Sequence, residues 1–219
     1  MNATQTIAET LNRHLKQPTD VVVFGAAALL LDQKFAARLA GRSTNDVDII
    51  IPKERELRVD ADRGFWHAVE KTNRELEQHG LYITHIFPER EVVLTPEWKQ
   101  YLVPLHHEQL TKLNLQRPRM LDLVVSKMGR GDAQDLADVR SMLRLHYAVT
   151  GIPLTGEVIA TAARRAHVPE IYREIFSRAS ERIVAVAHDM QPRQEITPSS
   201  QHEPPRQTPN PGHGPRMGI

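Results

Sequence analysis

Two aspartates that are separated by one residue constrain the fold of this chain more than any other feature. Asp46 and Asp48 open an apolar run that ends at Ile51 and is typical of a β-strand. Residues i and i+2 of a strand project from the same face, so the two carboxylates point together while Val47 points into the core. Neighbouring like charges repel each other, and a hard cation with oxygen ligands relieves that repulsion. The pair therefore predicts a Mg²⁺ site on one face of a sheet.

A glycine turn precedes this pair of carboxylates. Residues 21–24 form an apolar run that predicts a short buried strand, and residues 26–40 predict a helix. Gly25 lies between them, where backbone without a side chain can approach a phosphate closely. The sequence therefore places a phosphate-binding turn ahead of the carboxylates.

The composition limits the partners of this chain. Lys and Arg number 28 against 27 for Asp and Glu, so an attraction to nucleic acid or a membrane needs a local patch. The chain has no cysteine, which excludes disulfides, thiolate zinc sites and thiol nucleophiles. It has no apolar run as long as a membrane span, and residues 1–16 lack the apolar core of a secretory signal. We therefore expect a soluble, cytoplasmic protein without a membrane partner.

The order of predicted elements favours an α+β fold. A small mixed sheet with helices is expected in an N-terminal domain over residues 1–115, and helices alone in a C-terminal domain over residues 116–190. Residues 191–219 are rich in proline and almost free of large apolar side chains, which predicts a disordered tail. The predicted helices cover residues 4–17, 26–40, 63–79, 118–128, 132–147, 155–166 and 169–190, and the predicted strands cover 21–24, 46–51, 81–87, 91–94 and 101–105.

Two blocks of the sequence resemble a known superfamily. The Gly25-Ala26 turn and the later Thr44-Asn45-Asp46-Val47-Asp48-Ile49 resemble the signature of the DNA polymerase β-type nucleotidyltransferases. The arrangement Arg-x-Thr-x-Asp-x-Asp from Arg42 to Asp48, together with a helical block over residues 123–140, is similar to a bacterial branch of that superfamily. This branch is related to the AbiEii-type toxins of toxin–antitoxin systems.

The resemblance implies an activity, a cofactor and partners. The reaction would transfer a nucleotide from a nucleoside triphosphate to an acceptor, either an RNA such as tRNA or a protein side chain. Asp46 and Asp48 would be catalytic and would hold Mg²⁺, which neutralises charge on the triphosphate. A toxin of this kind would also have a cognate antitoxin as its partner.

The resemblance also implies a set of nucleotide-binding residues. The turn offers backbone N–H groups at a helix N-terminus, which suits phosphate. Arginine and lysine side chains supply cationic donors, Arg in bidentate fashion. The implied residues are Gly25, Ala26, Arg42, Thr44, Lys127, Arg130 and Asp135.

The chain departs from the family pattern at two places. Ala26 stands where the family has Gly or Ser, so the turn offers no hydroxyl. The third carboxylate of the family belongs on a later strand, but the strand predicted over 81–87 has no acid. Glu89 or Glu91, just beyond it, could take this catalytic role, or His85 could act as the base. The alternative function is therefore a weakly active or inactive module of the same fold that binds a nucleotide or a protein.

Several candidates also have a purely structural interpretation. Asp132 is placed as the N-cap of a helix, and Asp135 and Asp138 could pair with nearby arginines. Lys127 could be a surface lysine that follows an apolar helical face. His85 shares a strand face with apolar residues and could be a core histidine.

Overall fold

A mixed β-sheet forms the centre of the fold. The computed structural model describes residues 2–39 and 41–191. Within them, the strands are β1 (Thr19–Phe24), β2 (Asp46–Ile51), β3 (Tyr82–Pro88), β4 (Val103–Leu105) and β5 (Leu113–Arg117). These five strands pair in the order β3-β2-β1-β5-β4. Strand β1 is antiparallel to β2 and parallel to β5, β2 is parallel to β3, and β4 is antiparallel to β5.

Helices pack against the sheet and predominate in the C-terminal part of the described chain. Polar side chains cap several of them: Asn2 accepts from the Gln5 N–H at 2.8 Å, and Asp62 accepts from the Phe65 N–H at 2.9 Å. Gly80 ends the turn that follows the helix over Arg63–Leu76, and it has the left-handed conformation. The helices are α1 (Ala3–His14), α2 (Gly25–Leu30), α3 (Gln33–Ala36), α4 (Glu56–Ala61), α5 (Arg63–Leu76), α6 (Met120–Ser126), α7 (Ala133–Thr150), α8 (Gly156–Arg165) and α9 (Arg173–Asp189).

The main core includes the sheet face that α1 and α5 cover. Odd-numbered residues of β1 and β2 point to this face because side chains alternate along a strand. Val47 is 4% exposed there, as the sequence predicts. Burying each such side chain fully contributes about 1.5–3 kcal/mol. The residues of this layer include Ile7, Leu11, Val21, Val23, Val47, Ile49, Phe65 and Val69.

The opposite face of the sheet carries a smaller apolar cluster. Val22 and Ile50 pack there against Val92, Leu94 and Trp98 of the segment that follows β3. Because residues two apart share a strand face, Asp46 and Asp48 lie on the same face as Ile50. The segment after β3 therefore covers one part of this face, and the aspartates occupy another.

The predicted α+β class with a small mixed sheet and a helical C-terminal region is confirmed, but two elements differ. The predicted helix over 26–40 is interrupted at Asp32, which is the N-cap of α3 and accepts from the Lys34 N–H at 2.9 Å. The predicted strand over 91–94 is wrong: a 3-10 turn ends at Glu91, and Leu94 forms an isolated bridge with His167. An isolated bridge involves a single pair of residues, so it leaves no alternating pattern from which the sequence could predict it.

Further differences are helix α4, which was not predicted, and the end of the sheet. The predicted strand over 101–105 is shortened to Val103–Leu105 by a 3-10 turn at Trp98–Tyr101. Strand β5 was not predicted, although Leu113 and Leu115 alternate with an exposed Asn114. Its antiparallel neighbour β4 is close in sequence, but its parallel neighbour β1 is remote, so the pairing with β1 depends on tertiary structure.

The domain boundaries at 115/116 and 190/191 stay predictions. The predicted disordered tail over 191–219 lies outside the described residues except for Gln191. None of the helices in the described part of the chain combines the length and the apolar character that crossing a membrane requires.

Candidate active site

Strand β2 places the two aspartates between its neighbours in the sheet. Asp48 lies opposite Phe24 of β1 on one side and His85 of β3 on the other. Asp46 lies opposite Tyr82 of β3. Both aspartates are half-buried, so their carboxylates are shielded by protein but remain within reach of solvent.

A bulge in β3 brings two polar side chains to the Asp48 carboxylate. The register between β2 and β3 shifts after Val47, so Thr84 is an extra residue in β3. The Thr84 hydroxyl donates to Asp48 Oδ1 at 3.0 Å, and His85 Nδ1 lies 3.2 Å from the same oxygen. The His85 ring stacks on Phe87 with 5.1 Å between the ring centroids. One oxygen of Asp48 is thus held in place by the neighbouring strand.

Asp46 resembles Asp48 in that protein holds one of its two carboxylate oxygens. The Thr44 hydroxyl donates to Asp46 Oδ1. Within the described residues, neither Asp46 Oδ2 nor Asp48 Oδ2 accepts a hydrogen bond from protein. Each aspartate therefore has one oxygen that is oriented by protein and one that can bind a ligand.

Gly25 places the backbone close to the Asp48 carboxylate. Its φ is +63°, a left-handed conformation that residues with a side chain rarely adopt. A Cβ at this position would lie 3.4 Å from Asp48 Oδ2. The β1–α2 turn therefore leaves a small space beside the uncommitted oxygen of Asp48.

The donor set fits Mg²⁺. This ion prefers oxygen ligands and is usually held by one or two carboxylates together with water and substrate phosphates. Asp46 and Asp48 supply two carboxylates from one strand face, each with an oxygen that no described protein group occupies. In the part of the chain that the structure describes, no group of three or more His, Cys, Asp or Glu residues could hold a metal ion.

A network of ion pairs lies on the helical side of the site. Lys127 Nζ donates to Asp135 Oδ1 at 3.0 Å and to Asp138 Oδ2 at 2.9 Å. Arg130 donates to both oxygens of Asp135, at 3.0 and 3.2 Å. Arg42 reaches the network from the other half of the chain and donates to Asp138 Oδ1 at 3.2 Å. Two acids thus hold three cations in this network, and two of these cations, Lys127 and Arg130, line the same cavity as Asp48.

Ionisation of this network is maintained by its hydrogen bonds. Burial disfavours the charged carboxylate of Asp135, but hydrogen bonds from Arg130 and Lys127 outweigh it and lower the pKa below its usual value. Burial also disfavours the Lys127 ammonium, but hydrogen bonds to Asp138 and Asp135 outweigh it and raise the pKa of Lys127. Asp135 and Lys127 are therefore both charged near neutral pH.

Two cavities lie beside the Gly25-Ala26 turn. The one on the side of Asp48 is about 160 Å³ and is also lined by Gly25, Glu91, Lys127 and Tyr172. The other is about 220 Å³ and lies between α2 and α7. Its lining includes the predicted nucleotide-binding residues Ala26, Arg42 and Thr44.

The three candidates for the third catalytic group lie in different surroundings. His85 is largely exposed and touches Asp48, so it is not a core residue. Glu91 lines the cavity that Asp48 also lines. Glu89 lines neither cavity: it accepts from the Lys53 N–H at 2.8 Å, from Trp98 Nε1 at 3.1 Å and from Lys99 Nζ at 3.1 Å.

These bonds tie Glu89 to the apolar segment after β3. Burial alone raises the pKa of this carboxyl, and the hydrogen bonds from Lys53, Trp98 and Lys99 bring it below its usual value. Glu89 thus anchors that segment, whereas His85 and Glu91 remain available to the site.

Sequence reasoning missed two residues of the site. Thr84 faces Asp48 because of the bulge, and a bulge has no signature in a single sequence. Tyr172 lines the cavity beside Asp48 from the turn that precedes α9, far from the other lining residues in sequence. For both residues the signal is tertiary.

The fold and the site together define a class of protein. A mixed sheet presents an Asp-x-Asp pair beside a glycine turn, next to cations supplied by a helical region, which is the arrangement that the resemblance to nucleotidyltransferases implies. The family described as nucleotidyltransferase of unknown function (DUF6036) matches residues 1–150. The chain therefore belongs to this family. No curated protein and no solved structure matches the sequence.

Proposed function

We propose that this protein is a Mg²⁺-dependent nucleotidyltransferase that moves a nucleotide from a nucleoside triphosphate to an RNA, such as tRNA, or to a protein. The observation that carries the proposal is the pair Asp46 and Asp48 beside the left-handed Gly25. Each aspartate has one oxygen held by a threonine hydroxyl and one oxygen without a described protein partner. This geometry suits a metal ion that arrives with a triphosphate.

The residues around the aspartate pair would bind the triphosphate and orient the two carboxylates. Bound Mg²⁺ supplies charge neutralisation on the triphosphate. Thr44 and Thr84 fix the two carboxylates, and Gly25 lets phosphate approach the backbone. The Lys127 ammonium donates to two carboxylates and retains a third N–H for a phosphate oxygen.

The acceptor proton has two candidate bases. Glu91 lines the cavity beside Asp48, and its carboxylate is about half exposed. His85 lies against Asp48, and its side chain is 61% exposed. Either could reach the hydroxyl of an acceptor that enters from solvent.

The biological role that we propose is that of a cytoplasmic toxin with a cognate antitoxin. Its support is the similarity of the Arg42–Asp48 block and of residues 123–140 to the AbiEii-type branch. The family match gives the general class only. An adjacent gene whose product binds this protein and blocks its activity would support the role.

A binding module without turnover is the second candidate function. Ala26 offers no hydroxyl to phosphate, β3 contributes no carboxylate at the position facing Asp48, and Lys127 and Arg130 are engaged with acids. In that case Mg²⁺ and a nucleotide would bind at the same aspartates, but no transfer would follow.

The decisive experiment measures transfer from each α-labelled nucleoside triphosphate to total tRNA and to candidate proteins in the presence of Mg²⁺. Asp48→Asn is expected to reduce transfer at least about 100-fold, because charge stabilisation by a metal is worth several kcal/mol. Asp60→Asn is the matched control, since Asp60 is exposed on α4 and away from the site.

Each alternative result has a separate meaning. Nucleotide binding that requires Mg²⁺ and Asp48, without transfer to any acceptor, would favour the binding module. Equal transfer by the wild type and Asp48→Asn would exclude the proposed site.

A further inference from the structure

The cavity between α2 and α7 is largely apolar on its inner side. Leu29 and Leu30 of α2 form one wall, and Met142 and Leu145 of α7 form another. Leu29, Leu30, Met142 and Leu145 are all buried. Two apolar walls of this kind suit a flat ring better than a charged group.

The rim of the cavity is polar. Gln134 Nε2 donates to Asp138 Oδ1 at 3.0 Å, and within the described residues its Oε1 accepts no hydrogen bond. The Ser141 hydroxyl, one helical turn from Ala137, forms no hydrogen bond to any described residue. A carboxamide oxygen and a hydroxyl at the edge of an apolar slot can read the donors and acceptors of a heterocyclic ring.

This cavity is connected to the aspartate pair by hydrogen bonds. Thr44 lines it and donates to Asp46. Asp138 also lines it and accepts from Lys127, which lines the cavity beside Asp48. The two cavities therefore share one turn and one ion-pair network.

The sizes of the two cavities indicate that different parts of one ligand would occupy them. Their volumes are about 220 and 160 Å³. Both fall below the roughly 300 Å³ at which pockets for a whole organic ligand begin. A nucleoside triphosphate has an uncharged ring at one end and charged phosphates at the other, which matches one cavity with apolar inner walls and one lined by Asp48, Lys127 and Arg130.

We propose that the cavity between α2 and α7 binds the base of the nucleoside triphosphate and that Gln134 and Ser141 determine which base is preferred. The inference rests on the proposed function and adds to it the part of the substrate that this cavity recognises. The phosphates then lie toward Gly25, Asp48 and Lys127.

The test is calorimetric titration of the full chain with the Mg²⁺ complexes of ATP, GTP, CTP and UTP, and with Mg²⁺ tripolyphosphate. Ser141→Leu fills the cavity, so it should weaken binding of the preferred nucleotide about tenfold or more and leave tripolyphosphate binding unchanged. Ala137→Leu is the control, because Ala137 is exposed one turn earlier on α7 and does not line the cavity. Gln134→Met should change the order of affinities among the four nucleotides.

The results separate this inference from the proposed function. If the wild type binds neither nucleotides nor tripolyphosphate, the proposed function fails. Three results would overturn the base assignment alone. The wild type could bind nucleotides no more tightly than tripolyphosphate. Folded Ser141→Leu could bind nucleotides as tightly as the wild type does, or it could lose affinity for nucleotides and for tripolyphosphate equally. If Ser141→Leu does not fold, Gln134→Met is the deciding variant, because Gln134 is exposed on a helix and this position tolerates Met. An unchanged order of affinities for the four nucleotides in Gln134→Met would reject the base assignment.

Discussion

Gly25 connects backbone conformation with chemistry at the scale of a single residue. Its φ of +63° turns the chain from β1 into α2, and the missing Cβ leaves room beside Asp48 Oδ2. A residue with a side chain would be strained in this left-handed conformation, and its Cβ would also approach the Asp48 carboxylate. These two effects can be separated experimentally, because Gly80 has the same φ with nothing near its missing Cβ.

Gly25→Ala and Gly80→Ala are expected to lose similar stability but to differ in nucleotide affinity. The left-handed conformation should cost each variant about 1–2 kcal/mol in the free energy of unfolding. Only Gly25→Ala places a methyl group 3.4 Å from Asp48 Oδ2, so only it should weaken Mg²⁺-nucleotide binding. Urea unfolding and calorimetric titration measure the two effects. Equal nucleotide affinity in the two variants would show that the space beside Asp48 is not used.

The break between α2 and α3 shows how one buried ion pair shapes an element. Asp32 caps α3 and also accepts from Arg117 Nε at 2.8 Å and Nη2 at 2.6 Å. Arg117 ends β5 and lies over the Phe35 ring at 4.9 Å from its centroid. Both charged residues are 5% exposed. The pair ends α2 at Leu30 and ties this segment, which lines the proposed base cavity, to the sheet.

Asp32→Ala should therefore destabilise the protein far more than loss of a cap alone. It would leave the Arg117 guanidinium buried without its partner, at a cost of about 3–5 kcal/mol. Asp62→Ala removes the N-cap of α5 at a less buried site and should cost about 1 kcal/mol. Urea unfolding monitored by circular dichroism measures both. Equal losses in the two variants would contradict a stabilising role for the buried pair.

The halves of the described chain share one apolar core at the scale of the whole molecule. The main cluster includes Ile7 and Val47 from the sheet layer and Val124, Val139 and Ile183 from the helical region. The ion pair between Arg42 and Asp138 adds a polar connection between the same parts. A core that is continuous across the chain couples the unfolding of both parts.

We therefore expect a single unfolding transition. Circular dichroism reports on all helices, and fluorescence reports on Trp98, which is 1% exposed beside the sheet, and on the more exposed Trp66. Both signals should give the same urea midpoint. Two separate midpoints would instead show that residues 1–115 and 116–190 unfold as independent domains.

The sequence predicted the fold class, and the carboxylate pair and glycine turn of the candidate site, because those signals are local. Alternation along β2 placed Asp46 and Asp48 on one face and Val47 in the core, and the glycine turn ahead of them was visible in the order of elements. Asp132 also acts as the predicted N-cap, accepting from the Asp135 N–H at 2.8 Å. Periodicity, turns and caps depend on neighbours in the chain, so they can be predicted without a structure.

The sequence by itself determined the class of fold, the carboxylate pair and its glycine turn. Only the tertiary structure decided which residues complete the site. A bulge brings His85 and Thr84 to Asp48. Glu89 binds the segment after β3 instead of the site, and Lys127 and Arg130 form ion pairs with acids. The tertiary structure also formed the cavity between α2 and α7 from residues more than a hundred positions apart. Register, ion pairing and cavities depend on distances between remote segments, which are fixed only when the chain packs around one core.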